Sequence, residues 1–597
     1  MLHNTGILPK VVCMDAKFED IKVNPSKKLN LTEQQFDSKS SRAFSVAEAV
    51  VKILEEMGVQ YAFGVSGGAI APVWAALHQS SIQVLHFRHE AGAAFAATEA
   101  YFASDRPVVV FTTTGPGIIN VLTGLLAARW EGAKVIFVSA STSSPQRGRW
   151  ACQETSNYTM PSAGIFTSGT IFHYATTLES SDELPEVARR IAIGLGQPGG
   201  FVAHISIPTN IQTSSVKTSL PRVTLSQATA TASEETIAEC VHLLSKGPFA
   251  IWVGFGARGA AKEICQLAER TGAAVMCSPR AKGIFPEDHP QFVGVTGFGG
   301  HESVFRYMRE QRPRHILVLG TRLGEFTSLW NPVMTPWQGL LHVDIDPQVP
   351  GTAYPSTETF AIQSDVEIFM KNLLKNFPES TGARTIMLPQ FKCDLIKPQV
   401  NGLVRPELLM NLIQQVIVDG SDALVMAESG NSFAWVIHLL RFNTQNRYRI
   451  SNGFGSMGHF VTGVVGAALA RNGKAVAIVG DGAMLMNSEV NTAVKYQVPA
   501  VWIILNDGRY NICEQGIAYL GFKNVDATIP QADFVKIAQG MGAEGIRVER
   551  EADVQVALEK AIAAKGPFVV DVIIDPTQIA PAQSRNLSLI LQGATNY

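Results

Sequence analysis

Between residues 475 and 507 the chain reads strand, glycine-flanked carboxylate, helix, strand, carboxylate, and few folds accept that order. Ala475 to Val479 is an unbroken apolar run of strand length. Gly480-Asp481-Gly482 follows, and its glycines permit a sharp turn and a close approach of backbone to ligand. A helical pattern runs from about Leu485 to Tyr496. Pro499 ends it, and Ala500 to Leu505 is a second apolar strand leading into Asn506-Asp507. Two parallel strands joined by a helix set Asp481 and Asp507 at one C-terminal edge, where open α/β sheets bind ligands. Backbone N–H groups at the helix start suit phosphate. Two carboxylates beside phosphate oxygens suit a hard cation such as Mg²⁺. The stretch predicts a Mg²⁺-bridged diphosphate site, and the plainer alternative is an ordinary βαβ turn with two solvated aspartates.

The same alternation fills the rest of the chain, which at 597 residues is too long for one core. From Ala43 to about Thr213, strands are expected at Tyr61–Val65, Ile82–Phe87, Val108–Thr112 and Val135–Ser139, with helices at Ala47–Met57 and Ala91–Phe102. A Ser/Thr/Ala/Pro-rich stretch from Ser214 to Glu235 reads as a linker. A block at 236–380 carries strands before Gly254-Phe255-Gly256, Gly320 and Asp346-Pro347. The block at 403–597 carries the opening motif and ends in about twenty residues expected to be irregular and to fold over a site. The fold class predicted is α/β, with three doubly wound parallel-sheet domains. Residues 1–42 are polar and read as an extension without a signal-peptide apolar core.

Net charge of −2 and the lack of a Lys/Arg-rich block argue against nucleic acid or an anionic membrane as partner. No apolar run reaches the ~18–20 residues of a membrane span. Seven scattered cysteines with no Cys-x-x-Cys pair argue against zinc or a disulfide framework and for a cytoplasmic location.

The spacing of Gly480-Asp481-Gly482 to Asn506-Asp507 resembles the signature of thiamine-diphosphate (ThDP) enzymes, with Asp507 where an Asn is usual. Arg88-His89-Glu90-Ala91, Gly115-Pro116-Gly117 with Asn120, Asp344-Ile345-Asp346-Pro347, and Ser451-Asn452-Gly453 with Met457-Gly458 extend the resemblance over nearly all of the chain after residue 43. It is closest to the acetolactate synthase branch of 2-oxo acid decarboxylases and carboligases. Within that branch the chain is similar to homologues of secondary metabolism, such as that of the scytonemin pathway, which join larger 2-oxo acids into acyloins.

The resemblance implies a set of roles. Mg²⁺ would be held by Asp481, Asp507 and the main-chain carbonyl of Arg509, with Asn506 the substitute for Asp507. Gly480, Gly482 and Ala483 would cradle the diphosphate. Glu90 would hydrogen-bond the aminopyrimidine N1′ and favour the tautomer that removes the C2 proton. The Gly455 carbonyl would accept from the 4′-amino group, and Met457 would support the bent cofactor, unless it is simply core. Gln153 would lie near the reacting carbon, and Gly67, His173, Tyr510, Cys513 and Glu514 near the substrate. His173-Tyr174 stands where the family has Lys and an aromatic residue, a surface His being the alternative. Tyr510 to Gln515 is more polar than the family's pyruvate-facing wall.

The implied activity is decarboxylation of a 2-oxo acid and ligation of its acyl unit to a second 2-oxo acid or an aldehyde, with substrates larger than pyruvate. The competing readings are an ordinary acetolactate synthase, a plain decarboxylase and a non-catalytic homologue. The absence of a His-His pair favours ligation over simple decarboxylation, and joint retention of Glu90, Asp481 and Asp507 disfavours the non-catalytic reading. Biosynthetic members also bind FAD through the middle domain, where Gly254-Phe255-Gly256 and Arg322 could contribute. Gly-x-Gly at a strand end is a weak signal, and the expectation is ThDP and Mg²⁺ without FAD. A homo-oligomer, dimer or tetramer, with active sites at the subunit interface is implied.

Overall fold

A computed structural model of the chain describes residues 44–156, 159–160, 164–216, 228–379, 387–392 and 396–594. The extension read at 1–42 therefore lies outside the described residues, as does the middle of the expected linker. Three parallel six-stranded sheets follow one another. The first comprises β1 Tyr61–Val65, β2 Gln83–His86, β3 Val108–Thr112, β4 Lys134–Ser141, β5 Tyr174–Thr177 and β6 Phe201–Pro208. The second comprises β7 Phe249–Val253, β8 Ala274–Cys277, β9 Phe292–Val295, β10 His315–Leu319, β11 Gly339–Asp344 and β12 Thr359–Gln363. The third comprises β13 Leu424–Ala427, β14 Tyr448–Ile450, β15 Ala475–Gly480, β16 Ala500–Asn506, β17 Glu544–Val548 and β18 Phe568–Ile573.

The first sheet runs β2-β1-β3-β4-β6-β5 and the third β14-β13-β15-β16-β18-β17, the same order counted within each sheet. The middle sheet runs β12-β11-β10-β7-β8-β9, with its order reversing between β10 and β7. Central strands such as β3 and β16 are buried along their whole length because helices cover both faces.

The first and third sheets meet through two helices of small residues, Glu90–Ser104 and His459–Ala470. Gly466 lets their backbones touch: a Cβ there would lie 2.0 Å from the Ala96 carbonyl oxygen. At Gly463 it would lie 2.9 Å from Glu99 Cγ. One apolar core accordingly runs through both helices and both sheets.

Three expectations need correction. The helix after Val479 starts at Asp481 rather than Leu485, and it is split into Asp481–Met484 and Glu489–Lys495. A carboxylate in the first turn suits the positive end of the helix dipole. Neither glycine of the motif has a positive φ, so the turn needs no left-handed backbone, and of the two only Gly482 makes a close approach within the chain. The final segment is not irregular: Gln583–Leu591 is a helix. Ser588 Oγ and Gln592 Nε2 each donate to Glu325 Oε1 at 2.9 Å, which ties this helix to the middle domain.

Candidate active site

Asp481 and Asp507 close the C-terminal edges of the adjacent strands β15 and β16. Asp481 is buried, and its carboxylate accepts from the N–H groups of Gly482 at 2.8 Å and Gly508 at 2.7 Å. Burial raises its pKa, and these N–H donors oppose the rise. Asp507 Oδ2 accepts from Asn511 Nδ2 at 2.7 Å. Burial pushes the Asp507 carboxyl up to about 6; the Asn511 hydrogen bond opposes this, and the charge of Asp481 adds to it. Two half-desolvated carboxylates thus repel each other, and the adjacent cation is committed elsewhere: Arg509 Nη1 lies 3.0 Å from Glu514 Oε2.

This donor set fits a hard divalent cation that relieves the repulsion. Among the described residues no group of three or more His, Cys, Asp or Glu could hold a metal. A cation between these two aspartates would therefore complete its shell with backbone carbonyl, phosphate or water oxygens. Asn506 is held by its amide nitrogen, while its buried Oδ1 has no partner. As the last residue of β16 it is fully buried, and its Nδ2 donates to Asp571 Oδ1 at 2.8 Å and to the Ala532 carbonyl at 3.0 Å.

Gly480 is extended and a Cβ there would meet nothing within 4 Å, so the backbone edge facing the helix start is open. Gly482 and Ala483 lie in the first turn. A Cβ on Gly482 would come 2.5 Å from Tyr510 Cε1, so this glycine makes room for the Tyr510 ring.

The segment Gly453–Gly458 precedes the His459–Ala470 helix. Gly455 (φ +65°) and Gly458 (φ +87°) adopt left-handed backbone that favours glycine. Met457 is 37% exposed, which removes the reading of it as simply core. Glu428 at the end of β13 caps the helix, accepting from Phe460 N at 2.8 Å and Val461 N at 3.2 Å. His459 Nε2 sits 2.9 Å from Glu99 Oε1 across the helix pair. A bound aminopyrimidine could use the Gly455 carbonyl and rest on the exposed Met457.

Glu90 begins the Glu90–Ser104 helix, with His89 as its N-cap, at the C-terminal end of β2. It is 8% exposed, and its Oε2 accepts from Asn120 Nδ2 at 3.2 Å. The preceding turn is held by Glu489, whose carboxylate accepts from Arg88 N and His89 N at 3.0–3.1 Å. Among the described residues, no hydrogen bond or ion pair joins Glu90 to Asp481, Asp507, Gly455 or Met457 of the same chain.

Around Glu90's sheet, Gly67 follows β1 and packs on Thr113, where a Cβ would meet Thr113 Cβ at 2.7 Å. Gly115 (φ +60°) leads into Pro116, and a Cβ on it would meet Gln153 Cβ at 2.9 Å. Gln153 is exposed, has a left-handed φ of 53°, and its carbonyl accepts from Thr114 Oγ1 at 3.2 Å. The structure thus brings Gly67, Gly115 and Gln153 to the edge that carries Glu90.

It does not bring His173 there. His173 precedes β5, at the opposite edge of this parallel sheet, and its Nδ1 accepts from Val202 N at 2.9 Å. Burial first, then the charge of Arg129, lower its pKa. An exposed, neutral imidazole satisfied by backbone at the far edge of the sheet is the surface His of the alternative reading, not a substitute for a substrate-facing lysine.

Tyr510 and Cys513 are exposed where the chain enters the Asn511–Tyr519 helix. Glu514 in that helix is the partner of Arg509. Sequence reasoning missed how this helix is anchored. Asn511 Nδ2 bridges Asp507 to the Pro576 carbonyl at 3.0 Å, and Gln515 exchanges hydrogen bonds with Gln578 and Ala580. The i, i+4 pair Asn511/Gln515, joined at 3.0 Å, was the available signal.

In the middle domain, Gly254 and Arg322 are occupied with packing. A Cβ on Gly254 would lie 2.2 Å from the Gly320 carbonyl oxygen, and Arg322 donates to the Trp130 carbonyl at 3.2 Å.

Comparison with known proteins agrees with the three-domain fold. The chain matches the thiamine pyrophosphate enzyme N-terminal TPP binding domain over residues 44–160, the central domain over 237–373 and the C-terminal TPP binding domain over 428–572. It is 28% identical over 572 residues to the acetolactate synthase isozyme 1 large subunit of Escherichia coli, covering 93% of this chain and 97% of that one. It is 29% identical over 561 residues to an acetolactate synthase of Mycobacterium bovis, covering 88% of each.

Proposed function

The chain belongs to the thiamine pyrophosphate enzyme family, and from that premise we propose that it decarboxylates a 2-oxo acid and ligates the acyl unit to a second 2-oxo acid or aldehyde, at least one partner being larger than pyruvate. That it is a ThDP-dependent carboligase or decarboxylase follows from its three matched domains and its acetolactate synthase relatives. ThDP, when bound, supplies the nucleophilic carbon and the electron sink for decarboxylation.

The protein's own residues do the rest. Asp481, Asp507 and the Arg509 carbonyl would hold Mg²⁺ against the diphosphate, which the N–H groups of Gly482 and Ala483 would bind. The Gly455 carbonyl would orient the 4′-amino group, Met457 would support the ring, and Glu90 would hold or release a proton at N1′. We read one active site as formed by two copies, Glu90 from one and the Asp481 cluster from its partner, because Glu90 and Asp481 stand in different domains and the family resemblance implies a site at the subunit interface.

The wall beyond the metal site carries the substrate-size part of the reading. Exposed Tyr510 and Cys513, with the Arg509–Glu514 ion pair beside them, form a surface more polar than a wall built for two pyruvates would need. The test is product analysis and kcat/KM with pyruvate, phenylpyruvate and indolepyruvate as donor and acceptor, since discrimination lies in that ratio. The expected result is ligated product and preference for a bulky partner. A tenfold preference, ~1.4 kcal/mol, for pyruvate in both positions would make this an ordinary acetolactate synthase. Aldehyde release without ligation would make it a decarboxylase.

A further inference from the structure

The segment that leads into Glu90 is gripped by one short helix of the third domain of the same chain. Glu489–Lys495, the helix downstream of Asp481, and the Tyr496 that ends it meet residues 86–89 through three side chains. The Tyr496 hydroxyl accepts from His86 N at 2.8 Å, and Asn491 Oδ1 accepts from Arg88 Nε at 2.7 Å. The Glu489 carboxylate accepts from Arg88 N at 3.1 Å and from His89 N at 3.0 Å, the main-chain donors of the two residues before Glu90.

Packing alone does not call for a carboxylate at this boundary. Glu489 is fully buried, and burying a carboxylate is costly unless hydrogen bonds offset the lost water. The offset comes from those two N–H groups and from the Thr492 hydroxyl of its own helix. The facing helix leaves room for it. Gly92 stands in the first turn of Glu90–Ser104 with no positive φ, so its backbone would accept any residue, and alanine is the better helix former. A Cβ there would lie 2.8 Å from Glu489 Oε1, and its three nearest neighbours would all be Glu489 atoms. The glycine is thus explained by the space it leaves for this carboxylate, which sits at the positive end of the Glu90 helix.

We infer that Glu489 is a positioning residue for Glu90: it fixes the main chain from which that acid reaches N1′, and Gly92 is the space it needs. The inference rests on the reading of Glu90 as the N1′ acid. Asn120 steers the Glu90 side chain through Oε2, and Glu489 fixes the backbone behind it, so the acid is restrained at both ends. Glu489 itself needs no contact with cofactor or substrate in this role.

Two variants of the full chain displace the same carboxylate by different means. Glu489→Ala removes it, and Gly92→Ala pushes it aside while favouring the helix, so the second decides where the first folds poorly. In the cofactor-free protein, amide hydrogen exchange of residues 86–90 read by mass spectrometry should quicken about tenfold in both, the scale of one hydrogen bond to a charged group. With ThDP and Mg²⁺ bound, C2–H exchange should slow about 10²-fold at unchanged ThDP affinity, the cost of a ~1 Å misplacement. Glu489→Gln should recover most of that rate, since Oε1 alone accepts from both N–H groups. In Glu90→Gln chains, adding Glu489→Ala should slow C2–H exchange by less than about twofold further, because both changes act through one group. Unchanged amide exchange, wild-type C2–H exchange in Glu489→Ala and Gly92→Ala, or the full further loss in the double variant overturns the positioning role and leaves the Glu90 reading standing. Wild-type C2–H exchange in Glu90→Gln alone overturns that reading and this inference with it.

Discussion

The first and third sheets share one strand order and one set of slots, yet they carry opposite chemistry. In each, the third strand runs into Gly-x-Gly at the head of a helix: Gly115-Pro116-Gly117 after β3, Gly480-Asp481-Gly482 after β15. The first places a proline and a left-handed glycine against Gln153, and the slot becomes an uncharged wall. The second places a carboxylate beside Asp507, and the pair fits a cation. The slot after the second strand differs as well. After β2 it holds the acid Glu90, and after β14 it holds the Gly455–Met457 support. The fold fixes where groups stand, and single residues decide what they do there.

The sharpest way to break this comparison is to make the two third-strand slots alike in charge. Asp481→Ala should abolish ThDP retention, because Asp507 alone would face the diphosphate without a shared Mg²⁺. Titration calorimetry should show affinity reduced more than ~100-fold, beyond the loss typical of a supporting residue. Undiminished affinity would remove the metal assignment.

Next in size is the first sheet. Glu90→Gln should leave ThDP bound, since the diphosphate is held elsewhere, but slow C2–H exchange by about 10²–10⁴-fold, the usual worth of a general acid–base group. NMR of C2 proton exchange measures this. Wild-type exchange would show that Glu90 does not reach N1′. Mixing this variant with Asp481→Ala chains should regain part of the activity if each site draws Glu90 and Asp481 from different copies.

Much of this division was legible in the chain because apolar runs ending in Gly, Asp or Glu mark strand ends directly. Glu90, Asp481 and Asp507 stand where strand ends put them. The failures have a common cause. His173 sits before a strand rather than after one, and only the pairing of β5 with β6 reveals which edge that is. The anchors Glu489, Asn511 and Gln515 act across ~63 to 401 residues of sequence, so the i, i+4 spacing of Asn511 and Gln515 hints at a pair but no local pattern names what they hold. The final helix looked irregular because it is short and follows Pro581, and its tie to Glu325 is likewise long-range.

A smaller effect probes the close packing of the third slot. Gly482→Ala would drive a Cβ to 2.5 Å from the Tyr510 ring, and the ring must swing away. Overpacking of this kind costs ~1–3 kcal/mol. With Tyr510 in the substrate wall proposed above, KM for the larger oxo acid should change more than ThDP affinity. A comparably close approach in the first sheet, Gly67→Ala against Thr113 after β1, should alter stability in the same range and is read by thermal melting.

The smallest effect expected separates the two sheets by pH. Burial and the neighbouring Asp481 raise the Asp507 pKa to about 6. A carboxyl whose folded pKa is above its unfolded value near 3.8 takes up a proton more readily when folded, so the cofactor-free protein gains stability as pH falls through about 6 toward 4. The gain ends once the unfolded chain is protonated too. Cation binding has the opposite sign, because the proton and Mg²⁺ compete for one carboxylate. Mg²⁺-supported ThDP affinity should therefore weaken by up to about tenfold per pH unit below pH 6. In Asp507→Asn that slope should flatten, since an amide keeps an oxygen ligand but has no proton to exchange, while affinity at pH 7 falls only a few-fold. Calorimetric titrations at pH 5, 6 and 7 on both proteins measure it. An equally steep slope in Asp507→Asn would place the titrating group elsewhere, and the pairing of Asp507 with Asp481 would lose its claim to set the chemistry of the third sheet.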